Sequence, residues 1–108
     1  MSHSAHRERL LNRRPHWLYR FECDGQSYTG GIGRFEDGRI AEIFINGSKV
    51  GTAAETNAQD AAIVASLALQ HGCPIETIRH ALIRTGGSGG PLAALLDEVE
   101  RQSKDARP

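Results

Sequence analysis

Residues 53–78 read AAETNAQDAAIVASLALQHGCPIETI, and this stretch decides the fold. Its middle is apolar on almost every side at helical spacing, which is typical of a helix at the centre of a domain. Thr56 or Asn57 can cap the first turn, because a side-chain oxygen there accepts from free backbone N–H groups. Gly72 suits a left-handed C-cap, and Pro74 suits the start of another helix. The sequence therefore predicts a central helix ending near His71, followed directly by a second helix.

Before this stretch the chain alternates apolar and polar residues, as strands do. Three strands are predicted, over about 17–23, 26–35 and 39–46, and the turns between them contain Asp-Gly pairs. Glycines inside the second strand indicate a bulge or a closely packed backbone. One predicted face holds Trp17, Tyr19, Phe21, Cys23, Ala41, Ile43 and Ile45, and the other holds Leu18, Arg20, Glu22, Ile40, Glu42 and Phe44.

After the second helix, the glycine-rich segment 85–90 leads into a third helix that starts at Pro91. Strands followed by helices indicate the α+β class. We predict a three-stranded antiparallel meander with two or three helices packed on one sheet face. The expected organisation is a basic N-terminal arm at 1–16, one domain at 17–102 and a disordered tail at 103–108.

The formal net charge of the 108 residues is zero, but the charge is unevenly distributed. Residues 1–20 carry five arginines and one glutamate, 5 − 1 = +4, so the remainder carries −4. Two cysteines are too few for a disulfide scaffold and fit a reduced compartment. The sequence shows no signal-like segment and no apolar run of membrane-spanning length, so we expect a cytoplasmic protein without a membrane anchor.

Motifs that carry chemistry are weak in this chain. The glycine-rich segment 85–90 lacks the Lys-Ser/Thr pair of a phosphate-binding loop. His71 and Cys73 have the spacing of two metal ligands, but no further pair demands a metal site. No serine lies in a nucleophile-elbow pattern. We therefore expect no enzymatic activity, no cofactor and no resident metal.

The order of the segments resembles the TSCPD domain, which occurs near the C-terminus of adenosylcobalamin-dependent ribonucleotide reductases and as small free-standing proteins. The resemblance covers about residues 9–99 and rests on residues 11–14, 35–45, 56–82 and 90–97. It departs from the family at the Thr-Ser-Cys-Pro-Asp run, because Ser88-Gly89-Gly90-Pro91-Leu92 keeps the proline and lacks the cysteine. Any thiol or metal role of that cysteine is therefore not transferable to this chain.

The resemblance implies an accessory or regulatory protein-binding module whose partner is a ribonucleotide reductase. Two alternatives stay open: an inhibitor or adaptor of another macromolecular complex, of the phage or mobile-element type, and a nucleic-acid-binding module that uses the basic arm. A two-fold homodimer through the open sheet face is also compatible with the pattern. The candidate partner-binding residues are Arg7, Arg9, Arg13, Arg14 and Trp17 on the arm side, and Ile40 and Phe44, with Leu18, on the sheet.

Overall fold

The computed structural model describes residues 6–10, 15–83 and 89–105. An antiparallel sheet in the order β1-β2-β3 is followed by three helices, which confirms the predicted α+β class. The elements are β1 (His16–Cys23), β2 (Gln26–Arg34), β3 (Ile40–Gly47), α1 (Ala53–Gln70), α2 (Ile75–Ala81) and α3 (Pro91–Asp105).

The predicted turns close the sheet. Asp24 and Gly25, with φ of 52° and 75°, form the two-residue connection between β1 and β2. Both values lie in the left-handed region that such tight hairpins need, which explains the Asp-Gly pair. Between β2 and β3 the register shifts after Gly33, so the irregularity expected from the glycines lies at the end of β2.

Helices α1 and α3 cover one face of the sheet, which we call the inner face. Helix α1 lies over β3, and α3 lies over β1. Alanines at 58, 62 and 65 form the side of α1 that is buried in the core, so the helix can approach the sheet closely. The core contains Tyr19, Phe21, Tyr28, Ile32, Ile43, Ile45, Ala58, Ala62, Ala65, Leu69, Leu92, Leu95, Leu96 and Val99.

Helix α1 begins earlier than the sequence predicted. Thr52, and not Thr56 or Asn57, is the N-cap, and its Oγ1 accepts from the Glu55 N–H at 3.1 Å. The buried Glu55 carboxylate then accepts from the N–H groups of Gly47 and Gly51, both at 3.0 Å. These bonds hold the loop before α1 against the end of β3, so the helix starts as soon as the loop closes.

The prediction that α1 is buried on all sides is wrong. Ile63 and Val64 are 57% and 65% exposed, and Leu67 is 40% exposed. The helix forms the outer layer of a two-layer domain, so only its alanine side meets the sheet. Its C-terminal end agrees with the prediction, because Gly72 follows the helix with φ of 98°.

At the C-terminal end, α3 continues to Asp105, so the first residues of the predicted tail 103–108 are helical. Its amphipathic pattern places leucines in the core and charged residues outward. Arg101 donates to Glu98 one turn earlier, and this guanidinium lowers the pKa of the Glu98 carboxyl. Among the described helices, none is both long and apolar enough to cross a membrane.

Candidate functional site

The described part of the basic arm docks on its own domain. The Glu8 N–H donates to the backbone carbonyl of Gln70 at 2.7 Å, and both Glu8 carboxylate oxygens accept from Arg39 at 3.1 Å. Arg7 donates to the buried amide of Gln70, whose Nε2 donates in turn to the Ala41 carbonyl at 3.0 Å. This part of the arm is therefore tied to the end of α1.

The other predicted residues on the arm side form no continuous surface within the described residues. Arg9 is exposed, while Arg13 and Arg14 lie outside the described residues. Trp17 is 44% exposed and lies outside the buried core, although it occupies the inner-face alternation of β1. The Arg34 guanidinium lies 5.5 Å from the centroid of its ring, a cation–π distance. No sequence pattern marks Arg34, because its approach to Trp17 depends on the pairing of β1 with β2.

The face of the sheet opposite the helices, which we call the outer sheet face, carries two transverse rows with glycine in the middle. Leu18, Gly31 and Phe44 lie in register across the three strands. The Phe44 ring occupies the space that a Cβ on Gly31 would fill, so it lies flat over the central strand. Leu18 is 66% exposed. This row is the apolar part of the outer sheet face.

The second row of the outer sheet face is polar. His16, Gly33 and Glu42 lie in register, and His16 Nε2 is 2.6 Å from a Glu42 carboxylate oxygen. The imidazole also meets the Phe44 ring edge to face, with 5.5 Å between centroids. Because Gly33 has no side chain, the two residues can reach each other across β2. The row links both edge strands on this face.

Ile40 does not lie on the outer sheet face, contrary to the prediction. It is half-buried and packs against the core. The register passes from Gly33 opposite Glu42 to Arg34 opposite Ile40, so the strict alternation of β3 fails at its first residue. Ile40 instead lines a groove of about 360 Å³ beside Leu69, Ile75 and Val99. Of the predicted sheet contacts, Phe44 and Leu18 stay on the outer sheet face.

Helix α1 carries an exposed apolar surface that the sequence pattern did not predict. Ile63, Val64 and Leu67 of α1 lie side by side at helical spacing, and we call them the α1 stripe. A signal for it was present in the sequence. The alanines at 58, 62 and 65 lie on the side of the helix that approaches the sheet, so the bulkier side chains of the α1 stripe must point away from the sheet.

The side chains that could bind a metal or act as nucleophiles are scattered over the described residues. They include no group of three or more His, Cys, Asp or Glu that could hold a metal ion. Cys23 lies in a cleft of about 700 Å³ between the β1–β2 hairpin, α2 and α3, with its Sγ 3.7 Å from the Gly89 carbonyl. Burial, and then the nearby Asp24 carboxylate, raise the pKa of this thiol, which makes it a poor nucleophile.

The comparisons with known proteins show the family of the chain. The family model of the TSCPD domain matches residues 8–101. The chain belongs to the TSCPD domain family. The matched range includes all three strands and the α1 stripe, so both exposed apolar surfaces are parts of the TSCPD domain itself.

Two relatives of this TSCPD chain are named vitamin B12-dependent ribonucleotide reductases. The protein of Agrobacterium fabrum is 41% identical over 73 residues, which are 68% of this chain and 6% of the relative. That of Bradyrhizobium diazoefficiens is 34% identical over 70 residues, 65% of this chain and 6% of the relative. The TSCPD chain thus matches only a small part of each reductase. No solved structure gave a significant match.

Proposed function

We propose that this chain is a non-enzymatic accessory module that binds a vitamin B12-dependent ribonucleotide reductase through the α1 stripe. The family membership and the two reductase relatives support the choice of partner. The observation that carries the proposal is the exposure of Ile63, Val64 and Leu67 on a helix whose opposite side is packed against the sheet.

An exposed helix surface of this kind fits a helical or grooved protein partner. Contiguous exposed apolar side chains mark interaction sites, and Leu67, four residues after Ile63 and three after Val64, joins the two into one surface that can enter a groove. Polar residues border the stripe, with Asp60 at one end and His71 at the other, both exposed. The pattern of an apolar centre and a polar rim is that of a protein–protein interface.

The size of the effect follows from the exposed fractions. Full burial of a valine or leucine side chain contributes roughly 1.5–3 kcal/mol. Val64 is 65% exposed in the free chain, so its burial in a complex contributes about 1–2 kcal/mol. Replacing it with lysine also places a charge in the interface. We expect Val64→Lys to weaken binding by at least about tenfold.

The test measures binding of the full chain to the purified reductase of the same organism by biolayer interferometry. Leu18→Lys is the matched control, because Leu18 is as exposed as Val64 and lies on the outer sheet face. Binding that is lost with Val64→Lys and kept with Leu18→Lys supports the proposal. Loss with Leu18→Lys alone would move the contact to the outer sheet face, and no binding by the wild-type chain would refute the reductase as partner.

The alternatives predict other outcomes in related measurements. A nucleic-acid-binding module would retain DNA or RNA at low salt, with an affinity that falls steeply as salt rises. Replacing Arg9, Arg13 and Arg14 with serine would then remove that retention without removing the Glu8 contacts. An adaptor for another complex would leave the reductase unbound, while the α1 stripe would still be required for capture of its own target.

A further inference from the structure

The two edge strands of the sheet differ in the hydrogen bonds that their outward backbone groups form. Edge β3 is closed by side chains of α1. Ser66 Oγ accepts from the Ile43 N–H at 2.8 Å and lies 2.9 Å from the Ile43 carbonyl oxygen. Gln70 donates to the Ala41 carbonyl, and Glu55 accepts from the Gly47 N–H at 3.0 Å. A strand from another molecule finds these backbone groups of β3 already bonded.

Within residues 6–10, 15–83 and 89–105, nothing closes edge β1 in this way. Cys23 faces Gln26 across the two-residue turn, so these two residues form the first hydrogen-bonded pair of the hairpin. Because such pairs alternate along an antiparallel ladder, Cys23, Phe21 and Tyr19 direct their backbone groups toward β2. Leu18, Arg20 and Glu22 direct theirs away from the sheet. Among the described residues, none of the recorded bonds outside the β1–β2 ladder involves the backbone of these three. Their side chains are exposed as well.

We propose that β1 pairs antiparallel with β1 of a second copy, which makes a six-stranded sheet across a two-fold axis. Unpaired N–H and C=O groups on an exposed edge are a template for another strand. This site is separate from the α1 stripe and does not depend on the proposed function. It also differs from the homodimer predicted from sequence, because the outer sheet face stays uncovered.

Charge complementarity selects a second copy as the occupant and sets the register. Pairing centred on Arg20 places two arginines opposite each other, and pairing centred on Tyr19 places Arg20 opposite the partner's Leu18. Pairing centred on Phe21 places Arg20 opposite the partner's Glu22, twice by symmetry. Opposite charges directly across a strand pair are favourable, and like charges are unfavourable.

The experiment measures the oligomeric state of the full chain by sedimentation equilibrium over a concentration series. Wild type is expected to form a dimer. Arg20→Glu and Glu22→Arg each place like charges opposite one another at both symmetric positions, which raises the dimer Kd at least about tenfold. The double variant with both reversals is expected to restore dimerisation. Thr56→Glu, at an exposed position of α1 over the other edge strand, is the matched control and leaves the dimer intact.

Circular dichroism on each variant establishes that it is folded, which is expected because Arg20 and Glu22 are exposed. A wild-type chain that is monomeric at every concentration overturns the proposal. A dimer that resists both single reversals overturns it too. A dimer that is lost with Val64→Lys and kept with Arg20→Glu assigns self-association to the α1 stripe instead, and also overturns it.

Discussion

Replacing Gly30 with alanine tests how closely the central strand approaches α3. A Cβ at this position would lie 2.6 and 2.8 Å from the two Leu95 methyl carbons and 3.1 Å from a Phe21 ring carbon. Carbon atoms prefer about 3.5–4.0 Å, so the new methyl overlaps its neighbours. Leu95 is fully buried, and because protein interiors are close-packed its methyl groups can move only by displacing core neighbours. The strain must therefore pass into the backbone or the core.

The expected cost combines two opposing terms. Overpacking of this kind lowers the free energy of unfolding by about 1–3 kcal/mol. Because Gly30 is not at positive φ, alanine also restricts the unfolded chain, which stabilises by about 0.4–1 kcal/mol. We expect Gly30→Ala to lower the free energy of unfolding by about 1–2 kcal/mol, measured by urea denaturation.

A double-mutant cycle identifies the cause. Leu95→Ala alone costs about 2–5 kcal/mol because it leaves a cavity, and that cavity has room for the methyl of Gly30→Ala. The double variant should thus be more stable than the sum of the two losses by about 1 kcal/mol or more. Gly31→Ala, which points to the half-buried Phe44 on the other face, should be additive with Leu95→Ala. Additive losses for Gly30→Ala would refute the close contact.

Further predictions concern the closed β3 edge and the half-buried Cys23 thiol. Ser66→Ala removes the acceptor of the Ile43 N–H and should lower the free energy of unfolding by about 1–3 kcal/mol. The control is Gln59→Ala, which removes an exposed hydrogen bond to Asn46 and should change the free energy of unfolding by less than about 0.5 kcal/mol. The raised pKa of Cys23 means that iodoacetamide alkylation rises at a higher pH in the folded chain than in urea, in a variant without the other cysteine. The contribution to stability is complete below the pKa of the unfolded thiol and is lost as the pH rises through the folded value. Urea midpoints should therefore fall more over that range in wild type than in a variant without this thiol, in which burial still raises the pKa of Tyr28.

Much of the fold could be predicted because its signals are local. Alternation and Asp-Gly turns specify the strands, and Gly72 specifies where α1 ends. The mistakes came from tertiary context. The register shift near Gly33 turned Ile40 toward the core, and period-2 counting cannot detect such a shift. The start of α1 moved to Ala53 because Glu55 bonds loop groups that are close only in the folded chain.

The candidate surfaces were less predictable, because exposure depends on which elements cover one another. Leu18 and Phe44 followed from alternation and lie where it places them. The α1 stripe did not follow from the sequence. An apolar helix is expected to be buried on all sides, and the sequence does not show that nothing packs on the outer side of α1. The closed β3 edge and the open β1 edge depend on the position of α1 over the sheet, and no residue pattern in the strands reports it.

The contacts made by α1 show which of its residues the fold requires. Glu55, Ser66 and Gln70 close the β3 edge, and the alanines at 58, 62 and 65 allow close packing on the sheet. Neither task constrains the α1 stripe, so polar residues there would stabilise the free chain equally well and keep it more soluble. Large apolar side chains at these three solvent-facing positions are therefore not needed for folding, and the proposed contact with a partner accounts for them. If Val64→Lys leaves the free energy of unfolding within about 0.5 kcal/mol of wild type, this separation holds, and a larger loss would show that the stripe belongs to the fold.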